Sequence, residues 1–297
     1  MHMHTGLGVG LQGFGLLFVV LAVAIAISPA TGIPSAHAAP PPPHGLCFNY
    51  GHDGYIHDLS PGGQVERDFQ RLMDGGVRCL RIAYNEFNDP QSEALARFAK
   101  LHGFYVISGG QWRQFDMSQL SQFRAQAMQQ AKWAQANGID QFSLGNEQEA
   151  RLTGVSFPQW VNIIVALAAD LRAFYFGAIS YEASGYFVDD WPKVNIGSLD
   201  LLGLNIYNGY DFNSRALRKN IAAHGEGHVY LSETNCDVIH VCRTDEALAT
   251  EMKGDLLRLI GEFPQTGFYV YTWRQAGADA AFGMVNYPKT LALLGIR

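Results

Sequence analysis

The chain has 297 residues, of which 48% are hydrophobic and 16% are charged, and its formal net charge is -6. This is the balance of an ordinary globular protein without a long acidic or basic tail. The modest negative charge argues against a nucleic-acid partner, because nucleic-acid binding needs a basic face.

The N-terminal segment, residues 1–38, has the features of an export signal. An unbroken apolar run spans 16–27, and small residues at Ala36 and Ala38 predict cleavage after Ala38. No Lys or Arg precedes this run, and the apolar character begins early enough for 6–28 to remain as a membrane anchor instead. On either interpretation, we expect the rest of the chain to be secreted or otherwise extracytoplasmic. A stiff Pro-rich spacer follows at 39–44.

The 259 residues after position 38 match the typical length of one TIM barrel, about 250 residues. Strand-like runs alternate with helix-like runs along them. We predict strands at 45–51, 77–84, 104–108, within 142–149, and at 177–183, 201–207, 229–233 and 268–273. We predict helices at 63–76, 91–102, 118–136, 158–174, 214–224, 245–262 and 288–294, with a short irregular helical segment at 188–194.

Strands that alternate with helices indicate a parallel sheet with helical crossovers, and eight such units predict a closed (β/α)8 barrel. We therefore expect a single α/β domain, a TIM barrel spanning 45–297, and a monomer. An open doubly wound sheet is the alternative, but it usually carries a glycine-rich phosphate loop after its first strand. The segment 51–54, Gly-His-Asp-Gly, lacks that pattern.

The four cysteines fall into two sets. Cys236 and Cys242 close a short loop after the seventh strand, and an oxidising compartment predicts a disulfide between them. Cys47 and Cys79 lie inside the first two strands, where small buried core residues are as consistent with the sequence as a second disulfide. No C-x-x-C pair or close His cluster accompanies them, so we predict no metal site.

In a barrel, the C-terminal ends of all strands meet at one rim, so residues distant in sequence converge there. Carboxylates, amides, one Arg and several aromatic residues end the predicted strands. They are Asn49, Tyr50, Arg81, Trp112, Asn146, Glu147, Glu182, Asn205, Tyr207, Glu233 and Trp273. Such a set suits a neutral, polyhydroxylated substrate, with Trp112 and Trp273 stacking on the apolar face of a sugar ring.

The ordered set resembles clan A of the retaining glycoside hydrolases, a (β/α)8 superfamily. In that pattern an Arg ends strand two, Asn-Glu ends strand four, a Tyr ends strand six, a Glu ends strand seven, and a Trp often ends strand eight. The corresponding residues here are Arg81, Asn146-Glu147, Tyr207, Glu233 and Trp273. The segments 45–51, 144–147 and 204–207 are most similar to the β-1,3-glucanase family, from which Trp273 and Thr234 depart.

The resemblance implies a retaining hydrolase of β-linked oligo- or polysaccharides. Glu147 would be the acid/base and Glu233 the nucleophile, with their carboxyl groups about 5–5.5 Å apart. Arg81 and Tyr207 would keep Glu233 ionised, and Asn146 would bond the 2-hydroxyl of the substrate. Neither a metal nor an organic cofactor is implied.

Simpler interpretations remain open for single residues and for the whole site. Glu149, Glu182 and Asp237 are expected to be solvated charges or ion-pair partners, although Glu182 could touch the substrate. The histidines at 52, 57, 224, 228 and 240 are expected in loops. A carbohydrate-binding barrel without catalysis and a transglycosylase with the same residues are the alternative functions. Short loops after the strands favour an open cleft for a polymer.

Overall fold

The computed structural model describes residues 43–51, 57–83, 88–110, 115–236, 241–274 and 281–297. The predicted export segment at 1–38, and the alternative anchor at 6–28, lie outside these ranges. Within them, no helix is long and apolar enough to cross a membrane.

The protein is a TIM barrel, as predicted from the sequence. Eight parallel strands close into one sheet in which the first strand pairs with both the second and the last. The strands are β1 Gly45–Asn49, β2 Cys79–Ala83, β3 Tyr105–Gly109, β4 Gln141–Asn146, β5 Ala178–Ser184, β6 Leu201–Asn205, β7 Val229–Thr234 and β8 Gly267–Val270.

Helices cover the outside of the barrel. They are α1 Gln64–Asp74, α2 Pro90–Leu101, α3 Leu120–Ala136, α4 Phe157–Leu171, α5 Gly209–His224, α6 Asp245–Glu251, α7 Leu257–Glu262 and α8 Pro288–Leu293. Their ends follow local chemistry. Asp89 caps α2 by accepting the backbone N–H groups of Gln91 and Ser92, and Pro90 fills the first helical position.

The largest departures from the predicted elements occur in the second half of the chain. The helix expected at 245–262 is interrupted between α6 and α7 by a π-helical turn, Met252–Leu256. The short irregular helical segment predicted at 188–194 is present as a 3₁₀ turn, Trp191–Lys193, and a second 3₁₀ turn, Gly185–Phe187, precedes it. The last strand ends at Val270 instead of continuing to 273, and beyond it the N–H of Thr272 donates to Phe282 O instead of to a neighbouring strand.

A small two-stranded sheet was not anticipated. Phe115–Asp116 pairs in parallel with Leu152–Thr153 beside the barrel. Two residues are too few to show the alternation by which a strand is recognised in sequence.

Both cysteine pairs are oxidised. The predicted disulfide between Cys236 and Cys242 is confirmed, with Cα atoms 6.0 Å apart. Cys47 and Cys79 form a second disulfide with Cα atoms 5.0 Å apart. The β1–β2 register, which pairs Phe48 with Leu80, sets these two cysteines opposite each other on neighbouring strands. Their sulfurs belong to a buried cluster inside the barrel with Ile107, Ala178, Leu201, Tyr230 and Tyr269.

Candidate active site

Arg81, on β2, connects three strands at the C-terminal rim of the barrel. Its side chain is 4% exposed. Nη1 donates to Glu233 Oε1 at 2.7 Å and to Asn49 Oδ1 at 2.8 Å, while Nη2 donates to Asn146 Oδ1 at 2.9 Å. Burial alone would lower the pKa of Arg81, but the negative charges of Glu233 and Glu182 outweigh it and raise that pKa. The guanidinium is therefore a fixed positive charge beside Glu233.

Glu233, on β7, has a donor on each carboxylate oxygen. Arg81 holds Oε1, and the hydroxyl of Tyr207 donates to Oε2 at 2.7 Å. The side chain is almost buried, so these two bonds fix its position. Asn49 supports the arrangement from β1, since its Nδ2 donates to Ser232 O at 2.9 Å. Charge-assisted hydrogen bonds of this kind are short and strong, so the carboxylate is held in one orientation on the rim.

Glu147 follows β4 and lies in a different environment. Its Oε1 accepts from Asn205 Nδ2 at 3.1 Å, and Arg151 Nη2 lies 3.8 Å from Oε2. Burial, followed by the negative charge of Glu233, raises the pKa of Glu147 to about 7, although the Asn205 hydrogen bond opposes the shift. The carboxyl group therefore retains its proton in mildly acidic solution.

The backbone at the end of β4, where Glu147 lies, departs from regular strand geometry. Glu147 adopts φ 58°, in the left-handed region, and its N–H donates to Glu182 O at 2.9 Å. A non-glycine residue in that region costs on the order of 1 kcal/mol. Two residues earlier, Gly145 adopts φ 157°, a conformation that other residues rarely adopt, and an added Cβ would lie 2.2 Å from Gln148 Oε1. The β4–β5 register also shifts between Ser143 and Asn146.

Asn146 and Asn205 join the two carboxyl groups into one network. Asn146 Oδ1 accepts from Arg81 and, at 2.8 Å, from Asn205 Nδ2, which also reaches Glu147. Asn205 Oδ1 in turn accepts from Ser232 Oγ at 2.7 Å. The structure therefore brings together most of the residues expected on the rim, namely Asn49, Arg81, Asn146, Glu147, Asn205, Tyr207 and Glu233.

Tyr50 was expected to contact substrate, but its side chain faces the helices. It is fully buried, its hydroxyl donates to Asp68 Oδ2 at 2.8 Å, and its ring packs edge-on against Phe69 at 5.2 Å. Successive residues of a strand point to opposite sides. Because Asn49 points into the barrel, Tyr50 points out of it, and its placement at the site is corrected.

Trp273 was also expected to face the substrate and does not. Its side chain is fully buried, with the ring edge-on to Phe48 at 5.4 Å and the Arg71 guanidinium 5.5 Å from the ring centre. These neighbours belong to the layer between the barrel and α1. The strand ends before Trp273, so the alternation that would have turned it inward does not reach it. Trp112, the other expected aromatic contact, lies outside the described residues.

Two aromatic residues on the rim were missed by sequence reasoning. Tyr271 lies just beyond β8, with its ring perpendicular to that of Tyr207 and 6.3 Å away. Tyr186 follows β5 and is 91% exposed. The signal that could have identified both is an aromatic residue within three positions of a predicted strand end.

Glu149 and Glu182 are internal, which corrects the expectation that they are solvated or paired with a cation. Glu182 accepts hydrogen bonds from the hydroxyls of Ser143, Ser180 and Tyr230. Glu149 accepts from the Tyr181 hydroxyl, the Ser184 N–H and Trp191 Nε1. Burial raises the pKa of both carboxyl groups. Asp237 lies outside the described residues.

Two carboxyl groups in contrasting surroundings can act as a proton donor and a fixed anion in one reaction. Within the residues that the structure covers, no group of three or more His, Cys, Asp or Glu side chains is arranged to hold a metal ion.

No protein-family model and no curated protein matches this sequence, but several solved structures have a similar fold. A complex structure of a GH113 β-1,4-mannanase gives a TM-score of 0.61 at 16% identity, covering 84% of this chain and 97% of that chain. The GH113 β-mannanase AaManA from Alicyclobacillus acidocaldarius gives 0.60 at 15% identity, covering 84% and 95%.

A β-glucuronidase from Ruminococcus gnavus gives a TM-score of 0.58 at 16% identity, covering 80% of this chain and 45% of that one. At such identities the likeness establishes the shared barrel fold alone. The mannanase and glucuronidase structures give no support to the narrower resemblance to the β-1,3-glucanase family.

Proposed function

We propose that the protein is a retaining glycoside hydrolase that cleaves β-linked oligo- or polysaccharides by double displacement. The observation that carries this proposal is the contrast between two carboxyl groups on one rim. Glu233 is held by Arg81 and Tyr207, while the pKa of Glu147 is raised to about 7 by burial and by the charge of Glu233. Retaining hydrolysis requires such a pair, one member ionised and the other protonated.

In the first step, a Glu233 oxygen would attack the anomeric carbon while the Glu147 proton moves to the glycosidic oxygen. The glycosidic bond breaks, the aglycone leaves with that proton, and a glycosyl ester of Glu233 remains. The bonds from Arg81 and Tyr207 aim the carboxylate and limit its rotation before the attack.

In the second step, the Glu147 carboxylate would take a proton from water, and the water oxygen would attack the anomeric carbon. The ester bond breaks and Glu233 recovers its negative charge. Arg81 and the Tyr207 hydroxyl stabilise that charge as it returns. We assign Asn146 to the 2-hydroxyl of the sugar, as the sequence resemblance implies, because Arg81 and Asn205 orient its amide.

We further propose that the protein acts outside the cytosol as a monomer. The two disulfides support this location, because disulfides persist in oxidising compartments. The export segment at 1–38 and the catalytic domain at 45–297 complete the proposed organisation.

The function is tested by a screen of chromogenic β-glycosides and polysaccharides in mildly acidic buffer. The panel includes β-1,4-mannan, because similar structures are named β-1,4-mannanases, and β-1,3-glucan, because of the sequence resemblance. Chromatography of the products separates hydrolysis, which gives shorter sugars, from transglycosylation, which gives longer ones. If the protein bound sugars of this panel but cleaved no glycosidic bond, the proposed enzymatic function would be contradicted.

The pH profile follows from the raised pKa of Glu147. The first step needs its proton, so we expect kcat/KM to fall as pH rises through about 7. Initial rates on a substrate with a poor leaving group measure this fall. A rate that stays constant well above neutral pH would contradict the role of Glu147.

A further inference from the structure

Glu149 is a buried carboxyl group that none of the proposed catalytic steps uses. It lies in the 3₁₀ turn Gln148–Arg151, two residues after the proposed acid/base, and is 4% exposed. Among the residues that the structure describes, no cation forms an ion pair with it, and the arginine of the same turn, Arg151, lies 3.8 Å from Glu147 Oε2 instead. A carboxylate buried without a cation is costly to stability, which indicates a functional role.

Each hydrogen-bonding partner that the structure gives the Glu149 carboxyl group is a donor. Oε1 accepts from the Ser184 N–H at 2.6 Å and from Trp191 Nε1 at 3.3 Å, and Oε2 accepts from the Tyr181 hydroxyl. The Tyr181 oxygen also accepts from the N–H of Glu149 at 3.3 Å, which leaves its own proton for Oε2. An ionised carboxyl group satisfies all of these donors, whereas a protonated one would set an O–H against a donor. Burial raises the pKa of Glu149, and the hydrogen bonds oppose that rise.

The same bonds fasten the turn to β5 on both sides of the proposed acid/base. On one side, the N–H of Glu147 donates to Glu182 O at 2.9 Å. On the other, the Glu149 carboxylate accepts the N–H of Ser184, two residues further along β5. Between these anchors Glu147 adopts φ 58°, a strained conformation that persists only where the surrounding structure enforces it. The Glu149 carboxylate therefore contributes to the direction in which the Glu147 side chain points.

The charge of Glu149 also acts on the proton of Glu147. Burial and the charge of Glu233 are the main causes of the raised pKa of Glu147; the charge of Glu149 adds to the rise, and Arg151 opposes it. Among the described residues, the charged or titratable groups that face Glu147 are Glu233 on β7, Tyr207 beyond β6, and Glu149 and Arg151 in its own turn. The pKa of Tyr207 is raised well above its ordinary value, so its hydroxyl stays neutral.

We propose that Glu149 is a positioning residue for the acid/base: it fastens the turn that carries Glu147 to β5 and keeps a second negative charge beside it. This inference rests on the proposed function, because only a proton donor needs such support. The charge of Glu149 is constant through the reaction, whereas that of Glu233 is lost when the glycosyl ester forms. Glu149 therefore helps to keep the proton on Glu147 before the first step. In the second step it strengthens the Glu147 carboxylate as the base that activates water.

The experiment replaces Glu149 by glutamine, which removes the charge and keeps the size, and by aspartate, which keeps the charge. On a substrate with a poor leaving group, kcat/KM is measured across pH, together with the unfolding temperature of each variant. Asp68→Asn is the matched control. Asp68 is also a buried carboxyl group, 4% exposed, that accepts from a tyrosine hydroxyl, but it lies on α1, outside the barrel.

We expect the basic limb of Glu149→Gln to move to lower pH by about half a unit or more, because the pKa of Glu147 falls when a nearby negative charge is removed. Glu149→Asp should move it less. At the optimum, kcat/KM should fall about tenfold on a poor leaving group and much less on one that needs no proton. Asp68→Asn should lower the unfolding temperature and leave the limb in place. A limb that stays in place in Glu149→Gln, or that moves equally in Asp68→Asn, would overturn the proposal.

Carboxyl NMR of protein labelled at the glutamate side chains tests the same proposal without a substrate and without Glu149→Gln. The two signals are assigned by their loss in Glu147→Gln and in Glu149→Asp. In the wild type, Glu149 should be ionised at a pH at which Glu147 still carries its proton. A Glu149 that is still protonated after Glu147 has ionised would overturn the proposal.

The NMR titration separates this proposal from the catalytic one. An ionised Glu149 beside a protonated Glu147, in a protein that cleaves no glycoside, would leave the charge arrangement standing and remove the enzyme. Cleavage of β-glycosides with a basic limb that does not respond to Glu149→Gln would do the opposite.

Discussion

Replacing Glu233 by alanine is expected to reduce hydrolysis by roughly 10⁴-fold or more, the scale on which deleting a covalent nucleophile acts. The variant should recover turnover of an activated β-glycoside when azide is added. Azide would enter the space left by the carboxylate, on the face opposite the leaving group, and the product should be an α-glycosyl azide.

The matched control for this variant is Glu226→Ala. Glu226 lies in an exposed turn before β7, at the opposite end of that strand from Glu233, and should leave the rate unchanged. A β-glycosyl azide from Glu233→Ala would mean that the roles of the two glutamates are reversed. Undiminished hydrolysis would remove Glu233 from the mechanism.

Replacing Glu147 by alanine should slow the cleavage of substrates with poor leaving groups by about 10²–10⁴-fold, the usual contribution of general acid–base catalysis. Substrates whose leaving group needs no proton should lose much less in the first step, because Glu233 can still form the glycosyl ester. Azide would then attack that ester from the leaving-group face, and the product should be a β-glycosyl azide.

The comparison between leaving groups distinguishes acid catalysis from a structural defect. A variant that is only misfolded would lose activity equally on both kinds of substrate, and azide would not restore it. Equal losses on good and poor leaving groups would therefore contradict the role of Glu147 as proton donor.

The barrel was predictable because eight strand and helix signals recur in a length that one barrel fills. Once the barrel was predicted, the rim residues were largely predictable too, because the strand ends of a closed barrel converge. Arg81, Asn146, Asn205 and Glu233 meet in one network although up to 152 positions separate bonded partners.

Direction of side chains was less predictable than position. Tyr50 could have been assigned correctly, because the alternation of a strand requires it to point opposite to Asn49. Trp273 could not, since the regular strand β8 ends at Val270 and the next segment makes a bond from Thr272 N–H to Phe282 O. That bond forms between segments whose contact is not encoded in any local pattern.

The burial of Glu149 and Glu182 also lay beyond the sequence. Each carboxyl group can be buried because hydroxyl and N–H groups of other strands and turns donate hydrogen bonds to it. Tyr230 donates to Glu182, and Trp191 donates to Glu149. Isolated in the sequence, both resemble ordinary surface charges. Only the assembled barrel supplies the donors that make burial tolerable.

The stereochemical course of hydrolysis tests the central claim most directly. Proton NMR can follow the anomeric signals of the sugar released from a β-glycoside by the wild-type protein, before mutarotation mixes the anomers. Double displacement through Glu233 predicts that the β-anomer appears first and the α-anomer later. Initial release of the α-anomer would show a single displacement by water and would contradict the account.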